Sequence, residues 1–366
     1  MYYRQAWEEI NLDNLDHNLA IINDKLGDKA LIAVIKANAY GVGDYQVALS
    51  AIAHNAKYLA VSSLDEAISL RNKNIMIPIL VLNYVSAQHL YAVIKHDITI
   101  TVTSLDHAQM IKASLVTNLK LHIKVDTGMN RIGFKNIDDI KEALALLSEE
   151  NNIEGIFTHY LDSGNSDYTK TRSQFQQFLF IVNELNFPFK YIHSENSDAI
   201  IGFKDTISNA ARAGIAMFGI SSFKHNLKPV CSLYTKINHI KQVTSQDTIS
   251  YGGTYQAKDD EWIATIPIGY ADGLDRRNQD QNVFVNGYLA KIVGRICMDM
   301  CMISLPKYEP IDTIVEIFGP NIKIEDVATR IDTIPYEVLT SISDRISRVY
   351  KRRFEIVKID NPRLEK

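Results

Sequence analysis

The sequence predicts an α/β chain in which a (β/α)8 TIM-like barrel is followed by a mainly β C-terminal domain. Two observations carry this. Eight short apolar runs alternate with helix-like segments across residues 12–228, more strands than an open doubly wound sheet usually holds. After Pro229 helical periodicity gives way to strand-like runs separated by turn residues. The predicted divisions are therefore 1–11, 12–228 and 229–366.

The first helix is read from Leu12, Leu15, Leu19, Ile22 and Leu26, spaced by three and four, with Asp13 as its cap. ALIAVI at 30–35 is the first barrel strand, nearly continuous in apolar residues as a strand covered on both faces must be. YLAVS (58–62), PILVL (78–82), ITITV (98–102), LKLHIKV (119–125), IEGIFT (153–158), KYIH (190–193) and ISNA (207–210) complete the eight. Ser63 with Glu66 three residues later forms a capping box before one intervening helix, and 104–116 and 170–186 are others. Beyond Pro229, KINHIKQVT, EWIATIPIG, NVFVNGYLAKIVGRICMDMCMISL and DTIVEIFG read as strands, 335–348 as a helix and RRFEIV as a final strand.

Composition bounds the function. With 39 Lys+Arg against 43 Asp+Glu, a net charge of −4, no basic excess points to nucleic acid. A hydrophobic fraction of 46% provides a core, and no apolar run is long enough for a membrane span. The polar N-terminus and three cysteines point to a reduced cytoplasm. Phosphate-loop, dinucleotide and H-E-x-x-H motifs are absent. Cys297 and Cys301, expected to share one face of an extended strand, have no histidine cluster beside them, so no metal is expected.

A barrel gathers its chemistry at the C-terminal ends of its strands, and polar residues fall there repeatedly. Lys36 follows the first strand, Lys124 and Arg131 stand on or just after the fifth, and His159 follows the sixth, Asn196 and Ser197 the seventh, and Arg212 the eighth. Each alone reads more simply as a solvated charge, a surface ion pair or a core histidine. Five strands delivering polar groups to one mouth outweigh those separate readings.

These residues sit in AVIKANAYGVG, KVDTGMNRIGF, THY, SENSDA and ARAGIAMFG, followed by SYGGTY, GYADG, GRICMDMCMISL and TIPYEV. In that order, over essentially the whole chain, they resemble the alanine racemase family. The resemblance implies pyridoxal 5'-phosphate as cofactor, alanine as substrate, D-alanine for cell-wall peptidoglycan as product, and a homodimer with shared sites. It also implies an N-terminal strand packed with the β domain. Lys36 would carry the cofactor covalently and act as one catalytic base. Tyr251 of the partner subunit would be the other, because one base does not easily reach both faces of the α-carbon. A tyrosine pKa would have to fall from ~10 toward ~7, about 4 kcal/mol, and His159, linked to Arg212, would help.

By the same resemblance Ser197, Asn196, the amides around Gly214 and Ile215, Tyr40 and Tyr336 would hold the cofactor. Arg212 would meet the pyridine nitrogen without protonating it. Arg131 and the backbone of Met298 would bind substrate, and Tyr270 with Tyr336 would narrow the entrance, where Arg276 and Arg295 are further candidates. Lys124 would be open to carbamylation. The chain departs from the family pattern at Val42, where histidine is common, at Gly164, where an acid is usual nearby, and at Leu339 and Thr340, where a cysteine is common. Three other readings compete: a decarboxylase or a broader amino-acid racemase of the same fold, and a non-catalytic cofactor carrier. Arg212 and Tyr251 speak against decarboxylation, and the complete β domain against a carrier.

Overall fold

The computed structural model describes residues 3–364. The chain forms two compact units, one from Leu15–Ala39 and Gly43–Lys228, the other from the segment ending at Asn14, Tyr40–Val42 and the chain from Pro229 onward.

In the first unit eight parallel strands close a barrel: Ala30–Val34, Tyr58–Val61, Ile79–Val81, Thr99–Val102, Lys120–Lys124, Asn152–Phe157, Tyr191–His193 and Ala210–Ala213. Closure is made where Ala30 to Ala33 pair with Ala210 to Ala213. Most strand residues are buried, as helices on the outside and side chains on the inside require.

Seven strands lie where the apolar runs place them, and the eighth is displaced. ISNA is mostly a lead-in: Asp205 accepts hydrogen bonds from the Ile207 and Ser208 amides, and Asn209 Oδ1 accepts from the Ile192 amide at 2.8 Å. The strand itself is Ala-Ala-Arg-Ala, completely or almost completely buried. Alanine is a poor strand former in isolation, which concealed it. Arg212 therefore lies within the eighth strand, not after it.

The Ser63–Glu66 capping box is present on helix Leu64–Asn72, and Ser104 Oγ caps Leu105–Ala113 by accepting from the His107 amide. Helix Leu12–Leu26 is capped by Asn11, whose Oδ1 accepts from the Asn14 amide at 2.9 Å. Asp13 sits inside the first turn and accepts from the Arg353 amide instead.

The second unit is built on a ten-stranded sheet. In spatial order its strands are His239–Val243, Glu261–Ile266, Cys301–Leu305, Tyr288–Val293, Asn282–Val285, Ile314–Phe318, Cys231–Lys236, Ala6–Asn11, Ser347–Arg352 and Glu355–Asp360. The N-terminal strand thus lies inside the sheet, antiparallel to Cys231–Lys236 and parallel to Ser347–Arg352. Glu8 and Arg348, both buried, form an ion pair across that parallel seam at 3.6 Å. Arg348 Nε also donates to the Gly41 carbonyl, and Tyr350 Oη donates to the Val42 carbonyl at 2.9 Å. Gly41 has φ +93°, and a Cβ there would lie 2.5 Å from the Leu339 carbonyl oxygen, so the turn requires glycine.

The helix expected over 335–348 ends early. Pro335 starts it, Ser341 ends it, and Ile342 is already extended. Apolar residues at Val338, Leu339, Ile342 and Ile346 keep a helical spacing, but Ser347–Arg352 is taken by the parallel pairing with the N-terminal strand. The final strand, Glu355–Asp360, begins three residues later than RRFEIV implies, because Arg353 and Phe354 form a left-handed turn. Cys297 lies in a turn, its amide bonded to the Met300 carbonyl, and only Cys301 belongs to a strand. Among the described residues no group of His, Cys, Asp or Glu could hold a metal ion, and no helix is long and apolar enough to cross a membrane.

Candidate active site

The first barrel strand ends at Val34, two residues before Lys36, and the chain then does something unusual. Ala37, Asn38, Ala39 and Tyr40 all adopt left-handed helical conformations, with φ of 52°, 53°, 52° and 59°. A run of four non-glycine residues there costs about 1–2 kcal/mol per residue, so the surroundings must impose it. Ala39 N–H donates to the Ile35 carbonyl, Gly43 N–H to the Asn38 carbonyl, and Asp44 N–H to Asn38 Oδ1, each at 2.9 Å. The Lys36 amine makes no hydrogen bond or ion pair with any described residue. Burial, then the Arg131 guanidinium, hold its pKa below the ordinary lysine value, against an opposing pull from Glu66.

Arg212 projects from the eighth strand into a set of acceptors that carry no negative charge. Nη1 donates to His193 Nδ1 at 2.8 Å and to the His193 carbonyl at 2.9 Å. Nη2 donates to the Thr158 carbonyl at 2.7 Å, the Ser194 carbonyl at 3.1 Å and His159 Nδ1 at 3.3 Å. An arginine has five N–H groups and no acceptor. Here the Nε–H alone has no acceptor among the described residues.

This donor set also orients the imidazoles. His193 must accept at Nδ1, so its proton is on Nε2, which donates to His122 Nδ1 at 3.0 Å. His122 then carries its proton on a buried Nε2 that finds no acceptor. Likewise His159 accepts at Nδ1 and presents an Nε2–H. Burial, then Arg212, Arg131, Lys124 and Lys36, hold the His159 pKa well below its usual value, so the ring is neutral.

Lys124 ends the fifth strand, and its Nζ donates to the Val125 carbonyl at 2.6 Å. Burial, then Arg212, push its pKa down to about 7, with Asp126 opposing. Asp126 Oδ1 shapes the following loop by accepting from the amides of Gly128 and Asn130, both at 3.0 Å. That loop brings an exposed Arg131 within electrostatic reach of Lys36, Lys124 and His159.

At the other side of the barrel mouth, Ser197 Oγ accepts from the amides of Gly214 at 2.9 Å and Ala216 at 3.3 Å. The Gly214 amide is thus engaged within the chain. The Ile215 amide, at the start of the short helix Ile215–Phe218, is not. Asn196 is the cap of helix Ser197–Gly202: its Oδ1 accepts from the Ala199 amide and Ser163 Oγ, and its Nδ2 donates to the Tyr160 carbonyl. Its polar atoms are turned inward. Gly164 also has a local reason: a Cβ there would lie 2.6 Å from Ser222 Oγ and 2.8 Å from Asp198 Oδ2, leaving an acidic side chain neither space nor charge balance.

The β unit holds the remaining residues. Tyr251 follows Ser250, which has φ +67°, and is 72% exposed. It lines an open cavity of about 580 Å³ with Ser250, Gly252 and Cys297–Met300. The Met298 amide makes no hydrogen bond among the described residues, while its carbonyl accepts from Ala271. Tyr270 borders a second cavity of about 390 Å³ with Arg276, Arg277 and Glu337. Tyr336 packs edge-on to Tyr40, ring centroids 6.1 Å apart.

The sequence reading passed over His193, His122 and Glu66 as site residues. HIK in one strand and YIH in another mark histidines at barrel positions, but only closure shows that they meet.

A closed barrel gathering an unpartnered lysine, a neutral histidine and three further basic side chains at one end, with an exposed tyrosine in a mainly β unit, defines a barrel-type pyridoxal-phosphate enzyme. Residues 10–222 match the alanine racemase N-terminal domain and 230–350 the alanine racemase C-terminal domain. An alanine racemase of Halalkalibacterium halodurans is 38% identical over 384 aligned positions, covering 98% of each chain. The crystal structure of alanine racemase from Bacillus anthracis with bound L-Ala-P superposes with a TM-score of 0.94 at 36% identity, covering 99% of this chain and 98% of that one. A histidine racemase from Leuconostoc mesenteroides also shares the fold, with a TM-score of 0.90 at 26% identity over 96% of this chain and 99% of that one. The chain belongs to the alanine racemase family, and its activity is the pyridoxal-phosphate-dependent interconversion of L- and D-alanine.

The donor set fits that cofactor. A dianionic phosphate and a substrate carboxylate suit a barrel end where Lys36, Lys124, Arg131 and Arg212 converge. The unpartnered Nε–H of Arg212 suits a ring nitrogen that accepts, and the open Ile215 amide suits a phosphate oxygen.

Proposed function

We propose that Lys36 and Tyr251 are the two bases of racemisation, acting on opposite faces of the α-carbon, and that Tyr251 is supplied by the partner in a homodimer. The observation that carries this reading is the Lys36 amine, without a partner and held below the usual lysine range by burial and Arg131. A lowered pKa raises the neutral fraction that can take a proton.

When bound, pyridoxal phosphate supplies an electron sink that makes the α-proton of alanine acidic. Lys36 would anchor the cofactor covalently and serve as a base on its own side of the site. Ser197, Ile215, Tyr40 and Tyr336 hold the phosphate, with Gly214 and Asn196 shaping that corner through Ser197 and the helix cap. Arg212 would hold the ring nitrogen through its free Nε–H and, being a donor only, would leave it unprotonated. Arg131, with the Met298 amide of the partner, orients the substrate carboxylate. Lys36 moves the proton on one face and Tyr251 on the other, while the Nε2–H of a neutral His159 stabilises the phenolate. Tyr270 and Tyr336 limit side-chain size.

Lys124 is carbamylated in this reading. Its neutral amine adds to CO2 and releases one proton, and the new anion faces Arg131 instead of a like charge. Support for a dimer comes from the β unit, where Tyr251, Met298, Met300 and Tyr270 are all exposed, the kind of apolar patch that marks an interface. A cytoplasmic location accords with the free cysteines Cys231, Cys297 and Cys301.

Subunit exchange tests the shared site. Lys36→Ala and Tyr251→Ala are each expected to be inactive. Mixed in equal amounts, they form about half mixed dimers with one intact site each, returning roughly a quarter of wild-type activity. Mixed dimers verified by mass spectrometry, yet without activity, would overturn the assignment.

A further inference from the structure

We propose that Glu66 is a positioning residue for the reaction, holding the peptide plane that leaves Lys36 and so aiming the lysine side chain. The proposal rests on the reading of Lys36 as the cofactor-bearing base.

Glu66 belongs to a capping box, and in such a box the carboxylate serves only the N-cap amide. Here it serves two structures at once. Oε2 accepts from the Ser62 amide at 2.7 Å, Ser62 Oγ at 2.9 Å and the Ser63 amide at 3.3 Å. Oε1 accepts from the Ala37 amide at 2.7 Å. The cap therefore fixes one oxygen and leaves the other pointing at the turn.

The Ala37 N–H shares a peptide plane with the Lys36 carbonyl. Holding it sets the ψ angle of Lys36, where the chain passes from strand into the left-handed run Ala37–Tyr40. Alanine and tyrosine carry no glycine-like freedom to enter that region unaided. The other bonds of the turn, at Ala39, Gly43 and Asp44, lie further along the chain. Rotation there swings the whole lysine side chain, and a misplacement of about 1 Å at a reacting group can cost about 10²-fold in rate. The carboxylate also acts on the Lys36 charge, opposing burial and Arg131, so the same residue sets direction and basicity.

The test compares Glu66→Ala, Glu66→Gln and Ser63→Ala in the holoenzyme and in the cofactor-free protein. Ser63→Ala removes the hydroxyl that accepts from the Glu66 amide and leaves the bond to Ala37 untouched. In the cofactor-free protein, Glu66→Ala is expected to speed exchange of the Ala37 amide about tenfold or more, a local opening. In the holoenzyme it lowers kcat about 10²-fold with a much smaller change in KM. Glu66→Gln, which keeps an acceptor, restores amide protection and most of kcat, but moves the acidic limb of the kcat–pH profile to lower pH because the carboxylate charge is gone.

Unchanged Ala37 exchange in Glu66→Ala, or an equal loss in Ser63→Ala, overturns the proposal. If Glu66→Ala does not fold, a Glu66→Gln profile that fails to move does the same. Failure of the Lys36 reading is separable: borohydride would then fix the cofactor on another lysine, while the amide-exchange result still reports on the turn.

Discussion

Two arginines lie equally deep in this chain, each 4% exposed, and they are answered in different ways. Arg348, in the β sheet, faces Glu8 at 3.6 Å and donates to the Gly41 carbonyl. Arg212, in the barrel, has carbonyls, neutral imidazoles and the Phe157 ring around its guanidinium. Glu195, a carboxylate that acts on it electrostatically, is engaged by Lys29 at 2.8 Å. Burial pushes Arg212 down to about 10, so it stays charged at neutral pH. A charge closed off by its own chain serves the fold. One left without a counter-charge costs stability and is retained where a ligand completes it.

The largest expected effect comes from giving the barrel site the carboxylate it lacks. Arg212→Glu should lower alanine racemisation by about 10³-fold, because a carboxylic acid can protonate the ring nitrogen. Slow pyruvate formation from alanine should rise at the same time. Equal racemisation rates, with no added pyruvate by a coupled assay, would remove Arg212 from the ring nitrogen.

The sheet site yields the next effect, on stability. Burial, offset in part by Arg348, pushes Glu8 from 4.5 up to about 7. Its folded pKa is above its unfolded one, so its contribution is intact below about pH 4.5 and is lost as pH rises through about 7, a span worth about 3 kcal/mol. Glu8→Gln should therefore gain on wild type in thermal stability between pH 5 and pH 8. A variant destabilised equally at both pH values would mean that the pair stays ionised throughout.

A smaller effect sharpens the contrast within the barrel. Lys124, pushed down to about 7, is largely neutral at pH 8 and reactive toward CO2. Labelled bicarbonate should give a carbamate carbon signal that Lys124→Met lacks, with kcat/KM reduced about tenfold in the variant, close to 1.4 kcal/mol. A spectrum without that signal at pH 8 would leave the amine unmodified. The smallest change expected is Ser63→Ala, about 1 kcal/mol for a lost helix cap, measurable as a lower urea midpoint with racemase activity kept.

Most of the barrel is legible because strands buried on both faces leave unbroken apolar runs, whereas Ala210–Ala213 leaves only small residues. The identities at the mouth are legible for the same topological reason: Lys36, Lys124, His159 and Arg212 sit at or near strand ends. What the letters do not carry is how each polar atom is spent. SENS marks a turn, yet only the helix geometry shows that Asn196 is consumed as a cap and that Ser197 takes the Gly214 amide. KANAY contains no glycine, so the letters do not announce its left-handed course, whose first amide is held by Glu66, 29 residues away. The helix over 335–348 was shortened by a long-range pairing that local periodicity does not register.

The N-terminal strand Ala6–Asn11 is made before every other strand of its sheet and paired only much later. Its neighbours in the sheet are Cys231–Lys236 and Ser347–Arg352, so on the ribosome every barrel strand has been synthesised before either partner exists. At ~5–20 residues per second the strand waits roughly 10–40 s for its first partner, with its backbone N–H and C=O groups unpaired. During that interval the nascent chain depends on chaperones or on its own solubility. A bulky fusion at the N-terminus would be carried into the middle of a sheet rather than left at its edge.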